Sequence, residues 1–358
     1  MRVRFLDLGT VPYLESQTIY HAIAYAMTEN NPDTITLMSP DSPYVSVGFL
    51  QEVDKEIDLD FCAANGLPVL RREVGGGAVY LDGNQTFVHF IFHRERLPRQ
   101  VEKVYALFIK PIVETYRALG IDAAHRPVND IVVGDRKIGG TGMAAIGPAI
   151  VMAGSLMFDF DTATMARALK VSSEKMRDKV HESLEQYMTT MRRELGQAPP
   201  RQQVVDLFKG RLAELLDVDL EPGELMASEK RAVRTLNRRF QSARWLKAKG
   251  GRPPHGVKIK GDILVVEAEH KAPGGLVRVT ARLRDDVIED LTLSGDFAFY
   301  PAALVGDLEA ALRGHRLDLD EITAVVRDFY ASSDVQAPGT SPEDLAEAIL
   351  KVKGAATL

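Results

Sequence analysis

Five residues, Gly250-Gly251-Arg252-Pro253-Pro254, constrain the architecture of this chain more than any other feature. Proline lacks an amide donor and fixes φ, and glycine loses the most entropy on ordering, so a helix or inner strand does not run through them. The chain is expected to fold as two units, residues 1–250 and 251–358, the second close to the minimum size of an independent domain.

In the first unit, periodicity predicts strands at 2–7, Thr34–Ser39, Tyr44–Phe49, Val69–Arg72, Thr86–His93 and Ala149–Phe158. Helices are predicted from Glu15 to Asn30, over 58–65 and from Gln100 to Leu119, where Val104, Leu107, Phe108, Ile112 and Tyr116 share one side. Asp130–Val133 and Arg136–Ile138 form a hairpin across Gly134-Asp135, followed by a glycine-rich break, GGTGM. Thr162–Leu216 and Ser228–Trp245 read as helical. Beyond the boundary, Gly256–Ala268, Gly275–Arg284 and Val287–Ser294 alternate like a small antiparallel sheet, and three helices follow between Ala302 and Val352. Strands and helices that do not strictly alternate predict an α+β fold: mixed or antiparallel sheets with packed helices, plus a small α+β C-terminal domain.

A net charge of −6 argues against general nucleic-acid binding. With a single cysteine, Cys62, an internal disulfide is impossible, and the eight histidines show no zinc-binding spacing. No segment reads as a secretory signal or membrane span, so a cytoplasmic monomer is the default expectation.

Chemistry concentrates in two segments. In Arg71-Arg72-Glu73-Val74-Gly75-Gly76-Gly77-Ala78-Val79-Tyr80-Leu81-Asp82, three consecutive glycines carry an entropic cost that close backbone approach to a ligand would justify. Their N–H groups can form a concavity for phosphate, and the adjacent arginines supply fixed charge and forked donors. Three glycines alone would favour a tight hairpin turn; the arginine pair reverses that preference.

The second segment is Asn129-Asp130-Ile131-Val132-Val133-Gly134-Asp135-Arg136-Lys137-Ile138-Gly139-Gly140-Thr141-Gly142. Lys137 lies on a strand before a glycine run, where it can reach a cleft as a point charge against carboxylate and phosphate oxygens. Taken alone it would read as a surface lysine at a hairpin end. Asn129 and Asp130 suit either turn chemistry or the positioning of magnesium and substrate.

The pattern RRxxGGGAVxxD, then NDxVxxxRKIxG, then GSLMFDFD resembles the lipoate–protein ligase A family of the biotin/lipoate ligase superfamily. The resemblance spans roughly residues 1–250, with a weaker likeness to an accessory domain around Leu293-Ser294-Gly295-Asp296-Phe297. It implies that lipoate or octanoate and ATP, with Mg2+, form an acyl-adenylate, and that the acyl group passes to a lysine of a lipoyl-domain or H-protein-like carrier. By the same resemblance Arg72, Gly77, Ala78, Val79, Tyr80, Asn129 and Asp130 contact the nucleotide, Asp130 also as a metal ligand. Arg71, Gly75, Gly76, Gly140, Gly142 and Gly154 border the lipoyl group, and Lys137 is catalytic, touching the acyl carbonyl and α-phosphate.

Two residues depart from the family pattern: Val74 replaces a small hydroxyl residue, and Ala153-Gly154-Ser155 stands where His-Gly-Thr is common. Octanoyltransferases of the superfamily carry their nucleophilic cysteine after the lysine motif, where this chain has none. Cys62 is expected to be a buried helix residue. A biotin ligase and a non-catalytic acyl-binding module are the remaining alternatives.

Overall fold

The computed structural model describes residues 2–171, 173–249 and 263–355. The Gly250–Pro254 punctuation and the first residues of the expected strand at Gly256 lie outside them. Two compact units emerge: residues 1–47, 54–74 and 78–246 form one, and 48–53, 75–77 and 247–358 the other. The main division thus falls between Leu246 and Lys247, and two short segments of the N-terminal sequence group with the C-terminal unit.

In chain order the first unit contains β1 (Arg2–Val11), α1 (Tyr13–Ala26), β2 (Thr34–Pro40), β3 (Tyr44–Val47), α2 (Val53–Glu56, shared at its first residue), α3 (Leu59–Ala64), β4 (Val69–Arg71), β5 (Val79–Leu81) and β6 (Gln85–His93). Then come α4 (Val101–Ala118), β7 (Ala123–Arg126), β8 (Asp130–Val133), β9 (Arg136–Gly140), β10 (Gly142–Ile146) and β11 (Ala149–Met157). The unit closes with α5 (Thr162–Ala168), α6 (Glu174–Tyr187), α7 (Met191–Leu195), α8 (Arg201–Leu216), β12 (Asp219–Pro222), α9 (Ala227–Phe240) and α10 (Ala243–Leu246).

A six-stranded mixed sheet, ordered β10-β11-β6-β2-β1-β12, is the platform. Every residue of β2 and β6 is buried, as expected of inner strands covered on both faces. One face meets α1 and α9 through Tyr20, Ile23, Phe87, Ile91, Val151 and Phe240. On the other, Phe90 stacks on Phe108 of α4 at 4.5 Å and meets Phe208 of α8 edge-on. Two three-stranded sheets, β4-β3-β5 and β7-β8-β9, complete the unit.

The expected α+β architecture is present, with four strands that the sequence did not announce: β5, β7, β10 and β12. The GGTGM segment is not a break: β9 runs through Gly140, and Gly142 begins β10. Ile146 pairs with Ala149, so Gly147-Pro148 makes a two-residue hairpin turn, Gly147 taking φ +57. Glycine and alanine have weak strand preference, and pairing with β11 overrides it here.

The second unit carries an antiparallel sheet of β13 (Ile263–Ala272), β14 (Gly275–Arg284) and β15 (Val287–Gly295). Helices α11 (Val305–Ala311), α12 (Leu319–Ser332) and α13 (Pro342–Ala355) cover one face. Its core joins Val277, Val279, Leu291 and Leu293 to Leu308, Ile322, Val326 and Ile349, and includes Leu50 from the segment 48–53. No described helix is long and apolar enough to cross a membrane.

Candidate active site

The hairpin arithmetic of β8 and β9 determines where Lys137 points. Val132 lies opposite Lys137, and Asp130 lies opposite Gly140, with a register irregularity between Ile131 and Val132. Side chains two apart on a strand share a face, so Asp130, Val132 and Lys137 project together. The lysine runs back across Gly140 and places Nζ 2.6 Å from Asp130 Oδ1. Gly140 makes this path possible: a Cβ there would sit 2.9 Å from both Cε and Nζ of Lys137.

Across the other edge of β8, Arg126 pairs with Asp130 in the β7–β8 register. Its guanidinium donates to Asp130 Oδ2 at 2.7 Å and to the Tyr187 hydroxyl at 2.6 Å. Tyr187 Oη also donates to Asp130 Oδ2 at 3.4 Å. Burial pushes the Asp130 pKa upward, but Lys137 and Arg126 outweigh it and hold the carboxyl below the ordinary range. In this arrangement a cation sits on each Asp130 oxygen, so the carboxylate expected as a metal ligand is engaged in ion pairs. Among the described residues, no group of three or more His, Cys, Asp and Glu side chains is arranged to hold a metal ion.

Asn129 acts as a brace. Its Nδ2 donates to Thr141 O at 2.7 Å, while Thr141 N and Oγ1 both donate to Asn129 O at 2.9 Å. Gly142 pairs with Ala153 on β11. At neighbouring Gly154 a Cβ would meet Thr141 Cγ2 at 3.0 Å and Ile112 Cδ1 at 3.4 Å, so an added side chain there would press on Thr141. Lys137, Asp130 and Gly140 therefore form one cluster, with Asn129, Gly142 and Gly154 bracing its floor.

The arginine pair splits. Arg71 is fully buried; its Nε donates to Leu246 O at 3.0 Å and Trp245 O at 3.2 Å, and its Nη2 to Leu246 O at 2.8 Å. Trp245 Nε1 returns a hydrogen bond to Arg71 O at 2.8 Å. This side chain fastens α10, and the geometry gives it a structural employment distinct from the lipoyl contact expected of it.

Arg72 turns toward β3, donating through Nη1 to Ser46 O at 3.0 Å, beside Tyr20 and Tyr44. Burial lowers the Arg72 pKa, partly offset by those tyrosines. Next to it, His21 Nε2 accepts from Glu73 N at 3.2 Å and Nδ1 donates to Gln17 O at 2.5 Å, which defines its tautomer. Burial lowers the His21 pKa to about 4 and that of His89, stacked on Tyr20 at 4.1 Å, to about 3. Tyr80 is buried on β5, its pKa pushed up to about 12 by burial with Asp82 and Asp161 nearby, and it meets Phe160 edge-on. Ala78 and Val79 lead into it, half-buried.

Gly75, Gly76 and Gly77 belong to the second unit. Gly76 has φ +91, a conformation that favours glycine, and a Cβ on Gly48 would lie 1.8 Å from Gly76 O. Gly77 faces Asp296, whose Oδ2 would be 3.6 Å from a Cβ. In the same unit Ser294 Oγ donates to Glu52 Oε1 at 2.6 Å and Gly295 N to Leu50 O at 3.2 Å, so the Leu293–Phe297 motif packs on segment 48–53.

Sequence reading missed Arg126, Tyr187, His21 and His89. Arg126 was within reach, because Arg-Pro-Val-Asn-Asp places opposite charges across a turn. Tyr187 comes from the end of a distant helix, and no local pattern announces it.

Comparison with known proteins places these features in a family. The lipoyl protein ligase A/B catalytic domain matches residues 12–213, and the bacterial lipoate protein ligase C-terminus matches residues 257–349. Octanoyltransferase LipM of Kyrpidia tusciae is 26% identical over 266 residues, covering 68% of this chain and 97% of that protein. Lipoate–protein ligase 1 of Staphylococcus aureus is 26% identical over 291 residues, covering 80% of this chain and 82% of that protein. The bi-partite lipoate protein ligase of Thermoplasma acidophilum, described with its E2 lipoyl domain, superposes with TM-score 0.64 at 23% identity over 71% of this chain and 100% of that one. P. falciparum LipL1 in complex with lipoate superposes with TM-score 0.69 at 13% identity, over 98% of this chain and 99% of that one. At such identities the structural likeness is one of fold, and it is the match over residues 12–213 that decides: the chain belongs to the lipoyl protein ligase A/B family, which includes both lipoate ligases and octanoyltransferases.

Proposed function

We propose that this chain is an ATP-dependent lipoate–protein ligase. The observation that carries this reading is the state of its one cysteine. Cys62 is buried on α3, and burial, with Asp58 nearby, pushes its thiol up to about 11. Thioester transfer needs an accessible thiolate, which such a site withholds at neutral pH. The C-terminal match supports the same reading. LipM of Kyrpidia tusciae aligns along nearly its whole length yet covers only about two-thirds of this chain.

The reaction proceeds in two displacements. A carboxylate oxygen of lipoate or octanoate attacks the α-phosphorus of magnesium-bound ATP, and pyrophosphate leaves. The amine of a carrier lysine, on a lipoyl-domain or H-protein-like protein, then attacks the acyl carbon; AMP leaves and the amine loses a proton. Lys137 stabilises the negative charge that grows on phosphate and carbonyl oxygens in both steps. Arg72 and the Ala78–Tyr80 segment serve the nucleotide, and Gly140 leaves Lys137 its path across the hairpin. Arg71 and Asn129 hold the frame. The first unit supplies the lysine chemistry.

The names of several relatives favour a second reading, octanoyl transfer from acyl carrier protein. Incubation with a lipoyl domain separates the two. A ligase produces the acyl mass shift from free lipoate or octanoate plus ATP and magnesium; a transferase produces it only from octanoyl-carrier. A shift confined to the second donor refutes the proposal.

A further inference from the structure

Arg126 has no part in the two displacements above, yet it is bonded into the Lys137 cluster. Resting on the reading of Lys137 as the site lysine, we propose that Arg126, steadied by Tyr187, is a positioning residue that lets Lys137 leave Asp130. The ammonium can then move to the substrate phosphate without stranding a charge.

The Asp130 side chain is 19% exposed, and its Oδ1 holds Lys137 Nζ at 2.6 Å. A carboxylate this far buried is expensive to leave without a cation. If Lys137 were its only counter-ion, every phosphate that recruited the lysine would have to overcome that penalty. The second oxygen changes this. Oδ2 accepts from Arg126 at 2.7 Å and from the Tyr187 hydroxyl at 3.4 Å, so Asp130 stays paired when Lys137 departs.

Arg126 is itself fixed. Its Nη2 also reaches the Tyr187 oxygen at 2.6 Å, and its Cζ lies 5.7 Å from the ring centroid. Half-exposed and anchored at two points, the guanidinium stays while the lysine moves. In the resting protein Asp130 keeps the ammonium on the hairpin face, aligned over Gly140. Arg126 keeps that hold weak enough to exchange for substrate.

The full chain tests this through the ATP dependence of lipoate-stimulated ATP–pyrophosphate exchange. Removing the relief cation should tighten Asp130 on Lys137, a cost met when ATP binds. Arg126→Gln is therefore expected to raise KM for ATP about tenfold with kcat within about twofold. Arg126→Lys, which keeps the charge, should recover most of the affinity, and Tyr187→Phe should raise KM about two- to threefold. In an Asp130→Asn background there is no charge to strand, so Arg126→Gln should change KM no further. An Arg126→Gln variant with unchanged KM, or with lowered kcat at unchanged KM, overturns the proposal. So does an equal effect of Arg126→Gln with and without Asp130. Retained exchange in Lys137→Ala would instead overturn the reading of the site beneath it.

Discussion

Gly140→Ala separates fold from chemistry more cleanly than removal of the lysine itself. Gly140 lies opposite Asp130, and Lys137 crosses the space a side chain would fill. An added Cβ would be 2.9 Å from both Cε and Nζ, inside the 3.4 Å at which ordinary contact begins. The neighbour is the end of a flexible side chain, so the lysine yields by about half an ångström or more and loses its alignment with Asp130. Misplacing a reacting group by about 1 Å can cost about 10²-fold, so exchange of pyrophosphate into ATP should fall roughly 10- to 100-fold. Stability should move little and in no fixed direction. A glycine-to-alanine change in compatible backbone gains about 0.4–1 kcal/mol from the unfolded state, and the disturbed ion pair, partly exposed, contributes about 1 kcal/mol at most. Exchange kinetics measured beside urea denaturation decide the matter. Wild-type kinetics in Gly140→Ala would refute the geometry; loss of activity together with loss of folding would refute the claim that only Lys137 is displaced.

Three further outcomes follow from other parts of the molecule. Cys62→Ser should keep wild-type ligation of a lipoyl domain, and complete loss of turnover with an intact fold would restore thioester chemistry. Arg71→Met removes charged hydrogen bonds to Trp245 and Leu246 carbonyls and should cost on the order of 3 kcal/mol in urea denaturation, with KM for lipoate within about twofold; a stable variant with a much higher KM would make Arg71 a ligand residue. His21 and His89 have pKa values depressed to about 4 and about 3, so the unfolded chain takes up protons first as pH falls. Their stabilisation is complete above the unfolded value of about 6.5 and is lost as pH drops toward the folded values. Between pH 7 and 5 each should cost roughly 2 kcal/mol, together less than twice that because the two interact; a urea midpoint unchanged across this range would contradict their burial as neutral rings.

What could be read in advance followed the range of the interactions involved. Helix α4 is legible because its buried face, Val104, Phe108, Ile112 and Tyr116, repeats at helical spacing within one segment. Lys137 is legible because a lysine, a hairpin turn and a glycine run adjoin in sequence. Strand β10 is not, since Gly142 and Ala144 become strand only by pairing with β11. The division of the arginine pair was equally hidden: Arg71 and Arg72 look equivalent as neighbours, and only the arrival of Trp245 and Leu246, far along the chain, commits Arg71 to the frame. The Asp130 carboxylate reads as a metal ligand until Arg126 and Lys137 occupy both its oxygens. The grouping of Gly75–Gly77 with the C-terminal unit depends on Gly48 and Asp296, neither of which a local motif would recruit.

Acid-dependent ATP–pyrophosphate exchange, with no carrier protein present, reads adenylate formation by this chain in isolation. The full chain with magnesium should exchange labelled pyrophosphate into ATP when lipoate or octanoate is added, and Lys137→Ala should not. No exchange with either acid, alongside octanoyl transfer from octanoyl-acyl carrier protein to a lipoyl domain, would contradict the proposed ligation.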